Sequence, residues 1–401
     1  MSQTYFQKGF NLKAVVGPVL AQNYHSRVVE RLKKLDHAAR AGELVLRLAR
    51  EFGFCYGVDR AVEYAYETRE KFPERRIFLS GEIIHNPDVN VRIERLGIRI
   101  LPEKEDASTR YAEVRAEDVV LLPAFGVTVA EMELLRARGC VLVDTTCGSV
   151  LNVWKNVHQY ARDGFTAVIH GKHYHEETKA TASQALTHPG GQYLCVRDRE
   201  EAGAVCAFIR GEQRREEMLT RFRHAASPGF DPDRDLARVG LANQTTMLMS
   251  ESLDIQEMLR LAMRDRYGEA ELPVRFRAFD TICSATQDRQ DAVLRMLGAG
   301  GLDLMVVIGG YNSSNTQALA KICAERLPTY HISGPEGLQE DGIRHRPVGS
   351  KHDAISTAWL PRGPVTVGLT AGASTPNNVV GDVVERILSL RGHTVEDLEP
   401  V

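Results

Sequence analysis

Long apolar segments and strongly charged tails are both missing from this 401-residue sequence. No apolar run approaches the length that crosses a bilayer. The short apolar stretch at 14–21 has no basic segment before it and no clear cleavage site, which argues against a signal peptide. The net charge is −3, and no basic cluster predicts a nucleic-acid or membrane partner. These absences favour a cytoplasmic protein that binds neither nucleic acid nor membranes.

Two common nucleotide-binding motifs are missing as well. No Gly-x-Gly-x-x-Gly segment follows a predicted strand and opens a helix, and no Gly-x-x-x-x-Gly-Lys-[Ser/Thr] segment occurs. The sequence therefore predicts no nicotinamide or flavin site. If the protein carries out redox chemistry, its electrons must come from another protein.

The cysteines form a poor disulfide framework, because there are seven of them at wide and irregular spacing. A reducing compartment fits this usage better, and there cysteines with a shared pattern are more often metal ligands or catalytic groups. Four of them lie in or beside predicted strands and helices, where a free cysteine packs as a small hydrophobic residue. These four are Cys140, Cys195, Cys206 and Cys323.

The other three cysteines occupy similar corners between a predicted strand and a predicted helix. Cys55 lies in GFCYGVDRAV, Cys147 in VDTTCGS and Cys283 in FDTICSA. The partial positive charge at a helix N-terminus stabilises a thiolate, the form that binds metal. Three thiolates are one short of the usual ligand set of an iron–sulfur cluster and would leave one iron open. A zinc site with an open position is the competing interpretation, but zinc transfers no electrons.

Short apolar runs alternate with amphipathic helices, which predicts an α/β fold with mainly parallel sheets. Candidate strands begin near residues 44, 119, 141, 166, 304 and 365. The three cysteine corners suggest three α/β units, in which function lies at the carboxyl ends of the strands. The predicted segments are an N-terminal extension at 1–43 and units at 44–147, 148–282 and 283–401, the second with an insertion near 199–238.

Several other predicted strand ends carry many hydrogen-bonding side chains. The groups are His85 in HNPDV, His173 to Glu177 in HYHEE, Thr245 in NQTT, Ser313 to Asn315 in YNSSN, and Ser374 in AGAST. Helix capping is the simplest explanation for any one serine or threonine. YNSSN has more polar groups than one cap needs, so a phosphate or diphosphate site is predicted there. A glutamate beside such a site is a candidate proton donor.

Together these motifs resemble the 4-hydroxy-3-methylbut-2-enyl diphosphate reductases, the IspH or LytB family, in their long cyanobacterial and plant-type form. The matching stretches run in order from about residue 44 to about residue 390. They are GFCYGVDRAV, HNPDV, VDTTC, HEET, NQTT, DTICSATQDRQ, YNSSNT and TAGASTPNNV.

The resemblance implies three pseudo-repeated α/β units in a trefoil around a central iron–sulfur cluster. It implies a [4Fe–4S] cluster held by Cys55, Cys147 and Cys283, with one open iron. The reaction is the last step of the non-mevalonate isoprenoid pathway, in which the allylic hydroxyl leaves and isopentenyl and dimethylallyl diphosphate form. An external donor such as ferredoxin or flavodoxin supplies the electrons.

Residue roles follow from the same resemblance. Glu177, Thr245 and His175 match the catalytic residues, with Glu177 as the proton donor. The residues that match substrate contacts are His85, His175, Thr245, Ser313, Ser314, Asn315 and Ser374. One position departs from the shorter members, because Phe125 stands where they have a histidine that contacts the diphosphate. Lys172 or His173 is expected to compensate.

Two alternatives remain on the sequence alone. An iron–sulfur sensor that binds a diphosphate metabolite without turnover is compatible with the three thiolates, although binding alone needs no acid. A zinc hydrolase is the third interpretation, and a three-cysteine site with an open position is uncommon for that chemistry.

Overall fold

The computed structural model describes residues 4–104, 106–279 and 281–401. The strands in chain order are β1 Tyr5–Phe6, β2 Ala38–Ala41, β3 Leu44–Leu48, β4 Ile77–Ser80, β5 Ile98–Leu101, β6 Val119–Leu122, β7 Val141–Asp144, β8 Thr166–His170, β9 Tyr193–Val196, β10 Val239–Asn243, β11 Phe276–Ala278, β12 Leu304–Ile308, β13 Thr329–Ile332, β14 Gly342–His345, β15 Ala354–Thr357, β16 Val365–Ala371 and β17 Glu399–Pro400.

The α-helices in chain order are α1 Lys13–Tyr24, α2 Arg27–Lys34, α3 Tyr56–Lys71, α4 Pro87–Arg95, α5 Ala107–Arg110, α6 Val129–Arg138, α7 Gly148–Arg162, α8 Glu176–Ala185, α9 Arg199–Arg210, α10 Arg215–Arg221, α11 Pro232–Asp235, α12 Met249–Tyr267, α13 Leu272–Arg275, α14 Ser284–Gly298, α15 Ser314–Ala324 and α16 Asn377–Leu390. Within the described ranges, no helix is both long and apolar enough to span a membrane.

Three sheets, each built around parallel strands, make up the framework. The first has the strand order β1-β7-β6-β4-β5, the second β11-β10-β8-β9, and the third β13-β12-β16-β3-β2-β17. All pairs in the first two sheets are parallel, whereas β2 and β17 add antiparallel pairs at one edge of the third. A small antiparallel pair is formed by β14 and β15. The predicted mixed α/β class is confirmed.

The central strands are buried along their whole length, as expected where helices cover both faces of a parallel sheet. All residues of β6, β7, β8, β10 and β12 are buried. The helices that follow the three cysteine corners bury the apolar stripes expected from their 3.6-residue period. In α7, for example, Val150, Val153, Val157 and Ala161 are buried.

The chain divides into two compact units. The first contains the described residues of Met1–Gly9, Phe72–Ile83 and Gly97–Cys283, and it holds the first and second sheets. The second contains Phe10–Lys71, Ile84–Leu96 and Ser284–Val401, and it holds the third sheet. Each sheet has its own apolar core, with Tyr111, Tyr160 and Leu369 among the buried side chains of the first, second and third.

The sheets combine strands from different predicted segments. The strand β3 was assigned to the segment 44–147, but it pairs with β16 in the third sheet. A sequence pattern identifies a strand without identifying its partner, because pairing is set by contacts between distant residues.

The described part of the segment 1–43, residues 4–43, is integrated into the fold rather than appended to it. Its strand β1 pairs with β7. The carboxylate of Glu67 on α3 accepts the backbone N–H groups of Phe10 and Leu12 at 2.6 and 2.7 Å, just before α1 begins. Since Leu12 provides no side-chain cap, this buried glutamate satisfies donors at the start of α1.

The insertion near 199–238 is ordered and contributes to a core. It contains α9, α10 and α11, and it buries Cys206, Met218 and Phe222 beside the second sheet. The many arginines and glutamates of this segment include exposed pairs on the outer faces of these elements, as in the ion pair between Arg221 and Glu200.

Candidate functional site

The three singled-out cysteines lie directly before helices. Cys147 is the capping residue of α7, and Cys55 and Cys283 immediately precede α3 and α14. The carbonyls of Cys55 and Cys147 accept the first helical hydrogen bonds, at 2.9 and 3.0 Å. All three side chains are half-buried, and none of these three cysteines takes part in a disulfide. Asp280, in the motif before Cys283, lies outside the described residues.

The backbone around each of these cysteines follows one pattern. Each cysteine N–H donates to a carbonyl that lies two residues beyond the end of a neighbouring parallel strand. The bonds run from Cys147 to Ala124 after β6 at 3.0 Å, from Cys283 to Thr245 after β10 at 3.3 Å, and from Cys55 to Ala373 after β16 at 3.3 Å. The pseudo-repeat inferred from sequence is therefore present in the local hydrogen bonding of all three corners.

The other four cysteines are buried, as predicted. Burial raises the pKa of Cys140 and Cys206 to about 11 and that of Cys195 and Cys323 to about 12. Because metal binding requires the thiolate, these environments disfavour it. The four therefore act as core residues, and the half-buried three remain as candidate ligands.

A buried carboxylate lies at the start of α8 in the first compact unit. Glu177 is 1% exposed, and its Oε1 accepts the backbone N–H of Thr245 at 2.6 Å. His175 is the capping residue of this helix, and its Nδ1 accepts the N–H of Glu177 at 3.2 Å. The carbonyl of Thr245 accepts the N–H of Cys283. Thr245 therefore connects Glu177 to the candidate ligand Cys283, because its N–H bonds to the carboxylate and its carbonyl accepts the N–H of the cysteine.

Gln244 is a structural residue of this site to which the sequence analysis assigned no role, although it lies in the polar NQTT segment. It is 1% exposed, and its Oε1 accepts both the N–H of Lys172 at 3.2 Å and the hydroxyl of Thr178 at 3.1 Å. A Cβ atom at Gly171 would lie 2.9 Å from the Cβ atom of Gln244, so a glycine is needed at this contact. Its position in NQTT, beside Thr245, was the available signal.

The polar loop after β12 lies in the second compact unit. Ser313 caps α15 by accepting the N–H of Thr316 at 3.3 Å, and Ser314 is the first residue of that helix. Asn315 Oδ1 accepts the N–H of Ala373 at 2.8 Å. Its Nδ2 is buried and has no hydrogen-bond partner in the described part of the chain. A buried donor without an acceptor destabilises a fold, so this donor is a candidate for binding a ligand.

His85 and Ser374 meet beside this loop. The hydroxyl of Ser374 donates to the carbonyl of His85 at 3.2 Å, and both residues are buried. The helix α16 begins at Asn377 with Pro376 in the capping position, so Ser374 is not the helix cap that its sequence position favours. A Cβ atom at Gly310 would lie 2.4 Å from the carbonyl oxygen of His85, which shows how closely the two loops approach.

Phe125 contacts one of the candidate site histidines. Its ring lies edge-on to that of His175, with 5.6 Å between the centroids. Both Phe125 and Glu176 line a cavity of about 590 Å³ at the carboxyl ends of β4 and β6. Burial lowers the pKa of both Lys172 and His173. The cationic form is disfavoured more for His173, because its ordinary pKa of 6.5 is already below neutrality.

Each compact unit therefore contains its own set of candidate residues. The first holds Cys147, His175, Glu177, Thr245 and Cys283, and the second holds Cys55, His85, Ser313, Ser314, Asn315 and Ser374.

Known proteins resemble this chain along nearly all of its length. A 4-hydroxy-3-methylbut-2-enyl diphosphate reductase from a Cyanothece species is 46% identical over 396 residues, which are 97% of this chain and 95% of that protein. The protein of that name from Gloeobacter violaceus is 48% identical, with 98% of this chain and 94% of the relative covered.

Two solved structures are similar as well. One is described as (E)-4-hydroxy-3-methyl-but-2-enyl diphosphate reductase, the terminal enzyme of the non-mevalonate pathway. It is 28% identical with a TM-score of 0.52, and 86% of this chain and 99% of that chain are covered. The E-1-hydroxy-2-methyl-but-2-enyl-4-diphosphate reductase of Plasmodium falciparum has a TM-score of 0.62 over 86% of this chain and 87% of its own. At 21% identity it supports the fold alone.

The family model of the LytB protein matches residues 46–388. This range includes all three cysteine corners and every candidate site residue. By this match and by its long, highly identical relatives, the chain belongs to the LytB family.

Proposed function

We propose that this protein is a 4-hydroxy-3-methylbut-2-enyl diphosphate reductase. Two electrons and two protons remove the allylic hydroxyl of the substrate as water and leave isopentenyl or dimethylallyl diphosphate. Relatives that carry this name match almost the whole chain, and the candidate residues fit the chemistry. The reaction needs an electron source, a proton donor near the hydroxyl and a site for the diphosphate.

Cys55, Cys147 and Cys283 are the proposed ligands of a [4Fe–4S] cluster. Their donor set fits this group, because all three thiols are half-buried at helix N-termini while the other four are enclosed in cores. When bound, the cluster would supply electrons and a Lewis-acidic iron for the hydroxyl oxygen. The sensor alternative does not account for the buried carboxylate of Glu177, which Thr245 connects to Cys283. The zinc alternative is disfavoured because a three-cysteine site with an open position is uncommon for zinc hydrolysis.

Glu177 is the proposed proton donor. Because Oε1 accepts the N–H of Thr245, the proton of the neutral acid belongs on Oε2. The N–H of Thr245 holds the carboxyl group in place, and His175 fixes the helix turn that carries it. Loss of hydroxide from carbon is slow without protonation, so a positioned acid contributes directly to the rate.

The diphosphate is proposed to bind to the side chains of His85, His175, Ser313, Ser314, Asn315 and Ser374, with Thr245 nearer to the reacting hydroxyl. Asn315 supports this assignment most directly. Its oxygen is engaged by Ala373, so its orientation is set and the Nδ2 donor remains for a ligand. Binding energy from the diphosphate is remote from the breaking bond and can orient it.

The electron donor is proposed to be an external protein such as ferredoxin or flavodoxin. The sequence has no nicotinamide or flavin motif that would supply electrons from within the chain. A cytoplasmic location is proposed with it, since a reducing compartment keeps the three ligand thiols available.

The observation that carries the proposal is the repeated corner, in which each of the three cysteines precedes a helix and donates its N–H to the carbonyl two residues after a parallel strand. The test is a visible spectrum with iron and sulfide analysis of protein purified without oxygen. Cys283→Ser is the test variant, and Cys206→Ala is the matched control, because Cys206 is buried in α9.

Wild-type protein and Cys206→Ala are expected to be brown and to contain iron and sulfide. Cys283→Ser should lose most of this colour and the activity with a reduced ferredoxin-like donor. A colourless wild-type protein with stoichiometric zinc, or without metal after reconstitution, would contradict the proposal.

A further inference from the structure

We propose that Arg289 is a positioning residue for residues 49–55, the Cys55 segment between β3 and α3. It holds this segment for cluster binding and places a buried positive charge beside it. This inference rests on the proposed function, because it assigns the residue a task toward the cluster. It concerns only residues of the second compact unit.

The guanidinium of Arg289 is enclosed by backbone carbonyls. It is 5% exposed. Its Nε and Nη2 donate to the carbonyl of Gly53 at 3.1 and 2.6 Å, and Nη2 also donates to that of Phe54 at 3.1 Å. Nη1 donates to the carbonyl of Ala285, in the first turn of its own helix, at 2.7 Å. The side chain therefore connects α14 to the two residues that precede Cys55.

The Cys55 segment depends on contacts of this kind because it has no regular structure. It follows β3 and turns at Gly53, whose φ of +69° favours glycine. The N–H groups of Gly53 and Cys55 donate to the carbonyls of Ala371 and Ala373, at the end of β16. Those bonds hold the N–H groups of the segment, and Arg289 holds its carbonyls.

Arginine suits this position for geometric reasons. Its planar fork directs several donors at fixed angles, whereas a lysine ammonium is a compact charge on a flexible stem. The helix that carries Arg289 begins at Ser284, the residue after Cys283. Because a helix is stiff over two turns, the bonds to Gly53 and Phe54 are made from a well-defined point.

The charge of Arg289 is a second part of the proposal. In the described part of the chain, no carboxylate lies within ion-pair distance of this guanidinium, so backbone carbonyl dipoles alone balance it. A cluster with three thiolate ligands is negatively charged, and gaining an electron makes it more so. A buried cation next to one ligand segment favours the reduced form, because net charge and hydrogen bonding set the potential of such clusters.

The test compares Arg289→Lys and Arg289→Gln with Arg391→Gln. Arg391 is a matched control, because it also donates to two backbone carbonyls in the same unit, those of Pro361 and Gly363, both at 2.7 Å. The first measurement is amide hydrogen exchange of the metal-free protein. Exchange in residues 50–56 should be at least tenfold faster in both Arg289 variants and unchanged in Arg391→Gln.

The second measurement is the reduction potential and iron content of the reconstituted protein. Arg289→Gln should have a more negative potential than wild type, whereas Arg289→Lys, which keeps the charge, should lie closer to it. Both should lose iron faster in the presence of a chelator. These readouts separate a role toward the cluster from a general loss of stability, which thermal melting reports for all variants.

Wild-type exchange in residues 50–56, together with a wild-type potential and iron retention in both variants, would overturn the inference. If the wild-type protein itself binds no cluster, the proposed function fails and the charge role fails with it. The exchange measurement would still decide whether Arg289 positions the Cys55 segment.

Discussion

The substitution Glu177→Gln separates the acid from its structural role. The Gln carbonyl oxygen can still accept the N–H of Thr245, which lies 2.6 Å from Oε1 in the native site. The remaining amide group cannot donate a proton to a leaving hydroxyl. General acid catalysis typically contributes a factor of about 10² to 10⁴, equivalent to about 3 to 5 kcal/mol in the barrier. We expect the turnover number to fall by this factor.

The stability change should be small by comparison. The Gln carbonyl oxygen is a neutral acceptor for the Thr245 N–H, as the Oε1 atom of the neutral acid is, so the cost should be on the order of 1 kcal/mol or less. Glu177→Ala would also leave the buried Thr245 N–H without its acceptor, at about 1 to 3 kcal/mol. The pair of variants thus distinguishes lost chemistry from lost structure.

The assay is anaerobic turnover with a chemically reduced viologen donor, alongside the visible spectrum and thermal unfolding of each variant. Glu67→Gln is the matched control, because Glu67 is also 1% exposed and accepts backbone N–H groups, at the start of α1. It should lose stability and keep its turnover number. Activity of Glu177→Gln within threefold of wild type, with an intact cluster, would refute the acid role.

Three further predictions concern the substrate site and pH. Asn315→Asp keeps the acceptor for the Ala373 N–H but replaces the unpartnered donor by a negative oxygen, so KM should rise at least tenfold with unchanged iron content; an unchanged KM would contradict the diphosphate assignment. Lys172→Ala should raise KM more than His173→Ala, because burial lowers the pKa of His173 and favours its neutral form. If both variants keep the wild-type KM, neither residue compensates for the histidine that Phe125 replaces. Burial lowers the pKa of His331 from 6.5 to about 4, so unfolding takes up a proton as the pH falls through this range; stability should drop by about 3 kcal/mol between these values, and His331→Gln should flatten that part of a denaturation profile.

Local patterns predicted the fold class and most central strands. The strands expected to begin near residues 119, 141 and 166 begin at these residues in the structure. Continuous apolar runs and 3.6-residue stripes are local properties, and the element they specify needs no knowledge of its neighbours. The partner of β3 was not predictable in this way, since β16 lies more than 300 residues further along the chain.

The sorting of the cysteines was predictable for the same reason. Cys206 and Cys323 lie inside helices and Cys195 inside a strand, where the surrounding apolar pattern already indicates burial. The family resemblance provided the residue roles, because its motifs are specific in combination. The integration of segment 1–43 was missed, since the contact of Glu67 with Phe10 and Leu12 joins residues far apart in sequence.

The sequence by itself determined which polar side chains and cysteines are candidates for the site, and that they follow strands. Composition and periodicity are properties of short stretches of chain, so both could be read without the fold. Only the tertiary structure decided what holds those residues in place. The N–H of Cys283 donates to the carbonyl of Thr245, and the carboxylate of Glu177 accepts the N–H of the same threonine. The guanidinium of Arg289 donates to the carbonyls of Gly53 and Phe54, which lie 236 and 235 positions earlier in the chain. These hydrogen bonds join groups that are far apart in sequence and form only when the chain packs, so no local sequence pattern predicts them.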